Sequence, residues 1–130
     1  NNGGGNLQSA NIDDCTIGWT LDDGSSLGDY AWYCARNIVD ESKSIGQNLP
    51  NGNDLYDMHG NVSEWCHDGY TSTYPSSSIA DYVQISPGNG RVLRGGSWLD
   101  TPQEQRVGNR NSQPPMYRMP TVGLRVARSN

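Results

Sequence analysis

The sequence has no phenylalanine, and hydrophobic residues make up only 33% of its 130 positions. A core must therefore come mainly from four tryptophans, seven tyrosines and scattered aliphatic residues, because each aromatic ring buries a large apolar area. No apolar stretch approaches the length of a membrane-spanning helix, so we predict no membrane insertion. At this length the chain forms one domain or part of one.

Lysine is nearly absent as well, since Lys43 is the single lysine and the formal net charge is −5. Binding to nucleic acid requires a clustered basic surface that neutralises phosphates, so we predict no nucleic-acid partner. Several arginines lie among apolar residues. We expect Arg110, Arg118 and Arg125 to form ion pairs within the scaffold or to hold main-chain carbonyls.

Cysteine is scarce, with only Cys15, Cys34 and Cys66 in the chain. An odd number allows at most one intramolecular disulfide, and no pair has a spacing typical of zinc ligands. A composition poor in lysine and rich in Asn, Ser and Gly favours an extracellular or cell-surface location. The first residues include neither an initiator Met nor a signal peptide, which indicates a processed chain or a fragment.

The pattern of apolar residues predicts short strands separated by long loops. Side chains alternate in polarity over residues 62–66, and residues 91–98 indicate a strand interrupted by a glycine pair. Residues 122–129 indicate a closing strand whose alternate apolar side chains share one face, and residues 28–37 suit a short helix or a core strand. The predicted fold class is therefore α+β, with short antiparallel strands, one or two helices and much irregular loop.

The string LYDMHGNVSEWC, residues 55–66, places two carboxylates around a glycine between aromatic residues. Calcium takes roughly six to eight oxygen ligands, from carboxylates and from carbonyls exposed where the chain turns. Asp57 and Glu64 could supply carboxylate oxygens, while Gly60 allows a turn that directs its carbonyl inward and Val62 offers a second carbonyl. From the spacing alone, solvated acids flanking a tight turn are the simpler interpretation.

Four phrases stand in order along the chain: IGQNLPNGNDLYDMHGNVSEW, RVLRGGSW, RVGNRN and VGLRVAR. Together they resemble the formylglycine-generating enzyme, or sulfatase-modifying factor, family. The resemblance runs from about residue 9 to the end of the chain and implies an irregular C-type lectin-like fold. It also implies that residues 1–130 are the C-terminal part of such a domain, since family members usually have a further N-terminal portion.

The resemblance changes the interpretation of residues 55–66. In the family, the matching segment surrounds a structural calcium ion, so the resemblance implies a calcium site at Asp57, Gly60, Val62 and Glu64. The chain departs from the family pattern at Ser63, where the family has a tryptophan next to the glutamate. We expect this departure to change the surface shape and to leave the fold intact.

The resemblance does not extend to the catalytic cysteines. Formylglycine-generating enzymes oxidise a cysteine of a client protein with copper held by two thiolates, which are soft ligands that suit Cu(I). In those enzymes the pair follows the strand that matches residues 91–98, and here the positions hold Asp100 and Gln105. We therefore expect no copper, no catalytic residues and a non-catalytic role. The alternative is an oxidase or accessory enzyme of the family.

Residues 99–121 form a long segment without periodicity between two strands, and such loops are usually functional. Relatives that lack the catalytic cysteines use the fold as a display scaffold, and the variable proteins of diversity-generating retroelements carry their ligand-contacting positions here. The resemblance thus implies a segment that binds a protein or glycan and that could be diversified. The implied contact positions are Leu99, Asp100, Thr101, Glu104, Asn109, Asn111, Gln113, Tyr117 and Met119.

Two plainer interpretations stay open. The segment could be an ordinary loop without a dedicated partner. The whole chain could also be a structural module of a larger assembly.

Overall fold

A computed structural model describes residues 15, 18–36, 40–73, 76–77, 83 and 90–128. In this part of the chain the regular elements are short strands and 3₁₀ helices. The strands are β1 (Ala31–Trp32), β2 (His59–Gly60), β3 (Ser63–Gly69), β4 (Arg91–Arg94), β5 (Asn111–Gln113) and β6 (Val122–Gly123), and the 3₁₀ helices are Leu27–Asp29, Cys34–Arg36 and Pro102–Gln105. None of the helices in the described ranges has the length and apolar character needed to cross a bilayer.

Four of the strands form one sheet in the order β5-β4-β3-β6. Strand β4 runs antiparallel to both β3 and β5, with an irregularity in the β3–β4 register between Trp65 and Gly69. Strand β6 runs parallel to β3, and β1 runs parallel to β2 in a separate two-stranded sheet. The sheets are therefore mixed: β4 has the expected antiparallel partners, while the β3–β6 and β1–β2 pairs are parallel.

The predicted strand over residues 91–98 is confirmed in its first half. Val92 and Leu93 are both buried, and the strand ends where Gly95 and Gly96 adopt positive φ angles of 89° and 70°. Residues with a side chain rarely adopt such backbone angles, so the glycine pair ends the ladder and turns the chain. Trp98, directly beyond the turn, is buried, in line with the expectation that tryptophans supply much of the core.

The predicted closing strand over residues 122–129 is wrong for most of its length. Only Val122 and Gly123 pair with β3, and no further ladder follows within the described residues. Leu124 and Val126, predicted to share one apolar face of the strand, are both exposed. The apolar alternation therefore does not mark a sheet face here, because the pairing stops after two residues.

Residues 28–37 combine both of the predicted alternatives, with β1 followed by a 3₁₀ helix, although Asn37 lies outside the described residues. This region holds a compact apolar cluster in which Trp19, Leu27, Ala31 and Tyr33 are buried. A disulfide joins Cys15 to Cys34 beside this cluster, and Cys66 is a half-buried free thiol on β3. One disulfide is the maximum that three cysteines allow.

Candidate functional site

Two neighbouring regions carry the predicted site residues, and the first is the turn over residues 57–64. Asp57, Gly60 and Asn61 all adopt left-handed backbone angles, with φ values of 53°, 76° and 67°. The main-chain N–H of Gly60 donates to the Gly95 carbonyl at 2.7 Å, and the N–H of Asn61 donates to the Trp32 carbonyl at 2.9 Å. These bonds fix the turn between β1 and the glycine pair that follows β4.

Asn61 is a structural residue of this turn that the sequence interpretation missed. Its side-chain Oδ1 accepts the Lys43 main-chain N–H at 2.8 Å, and its Nδ2 donates to the Lys43 carbonyl at 3.0 Å. Its own carbonyl accepts the Trp98 N–H at 2.9 Å. A buried asparagine directly after a glycine joins three chain segments here, and only its position in the turn could have signalled this.

Arg125 brings the two predicted carboxylate residues together. Its Nε donates to both Glu64 carboxylate oxygens at 3.0 Å, and its Nη2 lies 2.8 Å from Glu64 Oε1. The same Nη2 donates to the Asp57 main-chain carbonyl at 2.8 Å. Hydrogen bonding to Glu64 raises the pKa of Arg125, against the opposing effect of burial. The prediction that Arg125 forms an ion pair or holds a carbonyl is confirmed, and it does both.

The remaining Asp57 and Val62 contacts show how the predicted calcium ligands are used. Asp57 Oδ2 accepts the Gly46 N–H at 2.6 Å, while Asp57 Oδ1 is buried and has no hydrogen-bond partner. Val62 is half-buried, and its Cγ2 would lie 2.8 Å from a Cβ added at Gly123. The Val62 side chain therefore packs against the β6 backbone.

As arranged, these residues do not fit a calcium ion. Calcium requires roughly six to eight oxygens, yet both Glu64 oxygens face a guanidinium and one Asp57 oxygen faces an N–H. In the described part of the chain, no three His, Cys, Asp or Glu side chains group closely enough to hold a metal. Among the residues that the structure describes here, the buried and unpartnered Asp57 Oδ1 is the feature that favours a cation. Calcium binding by Asp57, Gly60, Val62 and Glu64 stays a prediction.

The second region, the 99–121 segment, is anchored at its start by Asp100. The Asp100 carboxylate accepts the Ser97 N–H at 2.7 Å and the Ser97 hydroxyl at 2.8 Å. The Asp100 carbonyl accepts the N–H of Cys34, the residue that forms the disulfide with Cys15, at 3.1 Å. Burial raises the pKa of the Asp100 carboxyl, and hydrogen bonds from Ser97 oppose that rise. Asp100 is thus a structural residue at the entrance of the segment.

The 3₁₀ helix Pro102–Gln105 continues this anchoring. The Glu104 carboxylate accepts the N–H and the hydroxyl of Thr101 at 3.0 and 3.2 Å, and the Glu104 carbonyl accepts Asn109 Nδ2 at 3.1 Å. Gln105 is buried, and its Nε2 donates to the carbonyls of Ser97 and Thr101 at 3.2 and 3.4 Å. The segment is therefore folded on itself and on the turn after β4.

The second half of the segment is held by the sheet and by tight turns. Strand β5 pairs with β4, and the Arg94 side chain donates to the Val107 carbonyl at 3.0 Å. The Arg110 guanidinium lies 5.2 Å from the centre of the Tyr70 ring, at a distance typical of a cation–π contact. Beyond β5, the Tyr117 N–H donates to the Pro114 carbonyl at 2.8 Å. These contacts fix the backbone on both sides of β5.

The predicted contact positions in this segment therefore divide into three groups. Hydrogen bonds that hold the segment together use Asp100, Thr101, Glu104 and Asn109, while Gln113 and Tyr117 are half-buried. The exposed positions are Leu99, Asn111 and Met119. Val107 and Met116 are exposed apolar residues that the sequence interpretation passed over, although an isolated apolar residue among turn formers was a visible signal.

Asp100 and Gln105, which stand where the enzymes of the resembled family have cysteines, both serve the fold. The first accepts hydrogen bonds from Ser97, and the second donates to carbonyls while its side chain lies against Gly96. A Cβ at Gly96 would be 2.8 Å from both Gln105 side-chain heteroatoms, so glycine and glutamine fit each other here. Neither residue offers the sulfur ligand that copper chemistry of this kind uses.

Comparison with known proteins identifies a family for this chain. Residues 4–130 match the model of the sulfatase-modifying factor enzyme 1-like domain. The chain is 40% identical over 77 residues to serine/threonine-protein kinase Pkn1 of Chlamydia trachomatis, covering 57% of this chain and 12% of the kinase. It is 39% identical over 82 residues to the formylglycine-generating enzyme of Streptomyces coelicolor, covering 60% of this chain and 26% of the enzyme.

Among solved structures, the chain is similar to Treponema denticola variable protein 1. The TM-score is 0.69 at 37% sequence identity, and the match covers 75% of this chain and 35% of that protein. The chain thus spans about an eighth of the kinase, a quarter of the enzyme and a third of the variable protein.

Proposed function

Because the chain belongs to the sulfatase-modifying factor family and is similar both to a formylglycine-generating enzyme and to a variable protein, we propose that it is a non-catalytic ligand-binding domain. Its few short helices and mixed sheets, together with the structural match, give it the irregular C-type lectin-like α+β fold. The ligand contacts the 99–121 segment, and the ligand is a protein.

One observation carries this proposal: the segment combines a fixed backbone with exposed apolar side chains. Its polar residues bond to one another and to the turn after β4, since Asp100 and Gln105 bond to Ser97 and Glu104 bonds to Thr101. Leu99 is 58% exposed and Met116 is 87% exposed. A binding surface loses little conformational entropy when its backbone is already ordered, so apolar side chains on such a scaffold favour association.

The chemistry of the exposed residues favours a protein ligand over a glycan. We define the ligand face as Leu99, Val107, Asn111, Met116 and Met119, the exposed apolar and amide positions of the segment. Methionine side chains adapt to irregular apolar surfaces and are enriched in protein interfaces. Amides add adaptable hydrogen bonds. The similarity to a variable protein supports the further proposal that these positions differ between copies of the gene.

The disulfide supports an extracellular or cell-surface location for this domain. A bond between Cys15 and Cys34 persists in oxidising compartments and is rare where thiols are kept reduced. This location is compatible with a display function, because a displayed surface has to meet ligands outside the cell.

Selection of peptides from a phage-displayed random library tests the ligand face directly. We expect enriched peptides to bind the parent chain and to lose about tenfold or more in affinity for Leu99→Asp, because the charge disrupts an apolar contact. Leu49→Asp is the matched control, since Leu49 is 56% exposed, nearly the same as Leu99, and lies outside the segment.

Thermal unfolding of both variants verifies that they fold. If the enriched peptides bind Leu99→Asp and Leu49→Asp equally well, the ligand face is not where binding occurs, and the proposal fails.

An oxygen-consumption assay with copper and a cysteine-containing peptide tests the non-catalytic part separately. We expect no consumption above that of a chain-free control, because the positions of the thiolate pair hold Asp100 and Gln105. Turnover by the chain would establish the alternative, an oxidase of the family, whatever the peptide selection finds.

A further inference from the structure

We propose that the guanidinium of Arg125 is the resident cation of the 57–64 turn, so that this turn forms in this chain without bound calcium. The family resemblance implies calcium at Asp57, Gly60, Val62 and Glu64, and the geometry of the same residues disagrees with it.

The contacts of Arg125 match those that a cation would make in this turn. Its Nε and Nη2 groups reach Glu64 at 3.0, 3.0 and 2.8 Å, and Nη2 also reaches the Asp57 carbonyl at 2.8 Å. One carboxylate and one turn carbonyl are the kinds of ligand that calcium would use. A planar guanidinium is suited to the same pair because its N–H groups point along fixed directions at both acceptors.

The fold delivers Arg125 to this position through the parallel pairing of β6 with β3. Glu64 lies opposite Gly123 at the end of β6, so Arg125 is two residues beyond the last paired position and its long side chain reaches back to Glu64. Gly123 allows the close approach, because a Cβ there would be 2.8 Å from Val62 Cγ2. The arginine is therefore placed by backbone pairing and by a glycine contact, and both form within the polypeptide itself.

A calcium ion in the same place would compete with this arrangement. It would need the Glu64 oxygens that now face Arg125, and like charges in close proximity repel each other. The Asp57 carboxylate contributes a single oxygen without a partner, Oδ1, since Oδ2 accepts the Gly46 N–H. One such oxygen is far fewer than the roughly six to eight that calcium requires.

The expected loss of stability on removing the guanidinium depends on how far the Arg125–Glu64 pair is exposed to water. The side chains of Arg125 and Glu64 are 41% and 25% exposed, so water screens their attraction. Exposed pairs contribute little in general, and good bidentate geometry places a pair at the upper end of that range. We therefore expect a moderate but measurable loss of stability when the guanidinium is removed.

Thermal unfolding of the chain in millimolar calcium and in excess EDTA is the first arm of the test. The midpoint of the parent chain should be the same in both solutions. Arg125→Gln should lower the midpoint by about 3–6 °C. Arg118→Gln is the matched control, because Arg118 is an exposed arginine in the same half of the chain and the ion pair predicted for it is not found among the described residues. It should leave the midpoint unchanged.

A double-mutant cycle with Glu64→Gln is the second arm. If the pair is the source of the stability, the double variant should unfold at nearly the same midpoint as Arg125→Gln alone. Arg125→Lys should recover only part of the midpoint, because an ammonium cannot bridge the carboxylate and the carbonyl in the same fork. If Arg125→Gln does not fold, the Arg125→Lys variant and the parent chain still decide the question.

Two results would overturn the proposal. A parent midpoint that rises in calcium, with heat released on calcium titration, would establish calcium as the cation of the turn. A midpoint for Arg125→Gln equal to that of Arg118→Gln would show that the guanidinium does not stabilise the turn.

Discussion

The main chain of Gly60 lies directly against the main chain of Trp32: a Cβ atom added at residue 60 would overlap the Trp32 carbonyl oxygen and lie 2.7 Å from its carbonyl carbon. Gly60 also has a φ angle of 76°, which residues other than glycine rarely adopt. The same carbonyl of Trp32 accepts the N–H of Asn61 at 2.9 Å, so the contact and the hydrogen bond depend on each other. This relationship sets the position of the whole 57–64 turn relative to β1.

Replacing Gly60 with alanine should be among the most damaging single changes in the chain. The substitution combines left-handed strain with a main-chain overlap that no side-chain movement can relieve. We expect a loss of about 4 kcal/mol or more in the free energy of unfolding, or a chain that does not fold. Chemical denaturation followed by tryptophan fluorescence measures this loss.

Gly24→Ala separates the backbone strain from the main-chain overlap. Gly24 has a φ angle of 84° but no atom within 4 Å of an added Cβ, so this variant loses stability only through the backbone strain. That strain is about 1–2 kcal/mol. Equal losses for the two variants would contradict the close contact between Gly60 and Trp32.

The carboxylate of Glu104 should contribute measurably to stability through its two bonds to Thr101. Glu104→Ala leaves the Thr101 N–H and hydroxyl without this acceptor, and we expect a loss of about 1–2 kcal/mol. Gln103→Ala, in the same short helix, is the control, because the Gln103 acceptor for Arg106 is its main-chain carbonyl and survives the change. Hydrogen exchange at residues 99–105 should speed up only in Glu104→Ala. Unchanged exchange would show that the segment is not held by this bond.

The sequence was informative wherever burial alone determined the structure. The alternation before Cys66 and the apolar pair Val92 and Leu93 identified two central strands, and the glycine pair identified the end of one of them. The expectation that tryptophans supply much of the core holds for Trp19 and Trp98, which are both buried. These signals work because a strand with a buried face has a strong preference for apolar residues at fixed positions.

The sequence was less informative where polar side chains determine the structure. The string TPQE is a helix-start pattern that marks Thr101 and Glu104 as structural. Both residues were nevertheless predicted to contact a ligand, because the whole 99–121 segment was treated as one contact surface. No local pattern could show that Arg125 meets Glu64, since 61 residues separate them. Long-range polar contacts depend on the topology, and the parallel placement of β6 was not predicted.

The pH dependence of stability should differ in sign between two aspartates. Burial raises the pKa of Asp100 above its ordinary value of 3.8, so the folded state holds that proton more tightly than the unfolded chain. The stabilising contribution is therefore complete below 3.8 and is lost as the pH rises through the raised pKa. Relative to Asp100→Asn, the parent chain should gain stability as the pH falls from neutral.

Asp23 provides the opposite case. Hydrogen bonds from Ser25 lower its pKa below 3.8, so its contribution is present above that value and is lost as the pH falls through the lowered pKa. Relative to Asp23→Asn, the parent chain should lose stability in acid. Thermal midpoints of the three proteins at several pH values check both signs. A parent chain that loses stability relative to Asp100→Asn in acid would mean that the Ser97 bonds outweigh the burial of Asp100.

The thiol of Cys66 should react slowly in the folded chain. Burial raises its pKa above the ordinary value of 9.0, against the opposing charge of Arg94, and the reactive thiolate is correspondingly scarce. With Cys15 and Cys34 joined in a disulfide, a thiol reagent in the absence of reductant reports on Cys66. We expect the reaction with an aromatic disulfide reagent to be about tenfold slower or more in the folded chain than in denaturant.

This expectation also bears on copper. A thiolate pair holds Cu(I) because both sulfurs are deprotonated at the metal, and a half-buried thiol with a raised pKa on β3 is a poor substitute for one member of that pair. Fast reaction of Cys66 in the folded chain, with a midpoint below 9.0 in its pH profile, would reverse this argument. It would then justify a search for copper binding at Cys66 with the disulfide reduced, because reduction would add Cys34 and Cys15 to the available sulfur ligands.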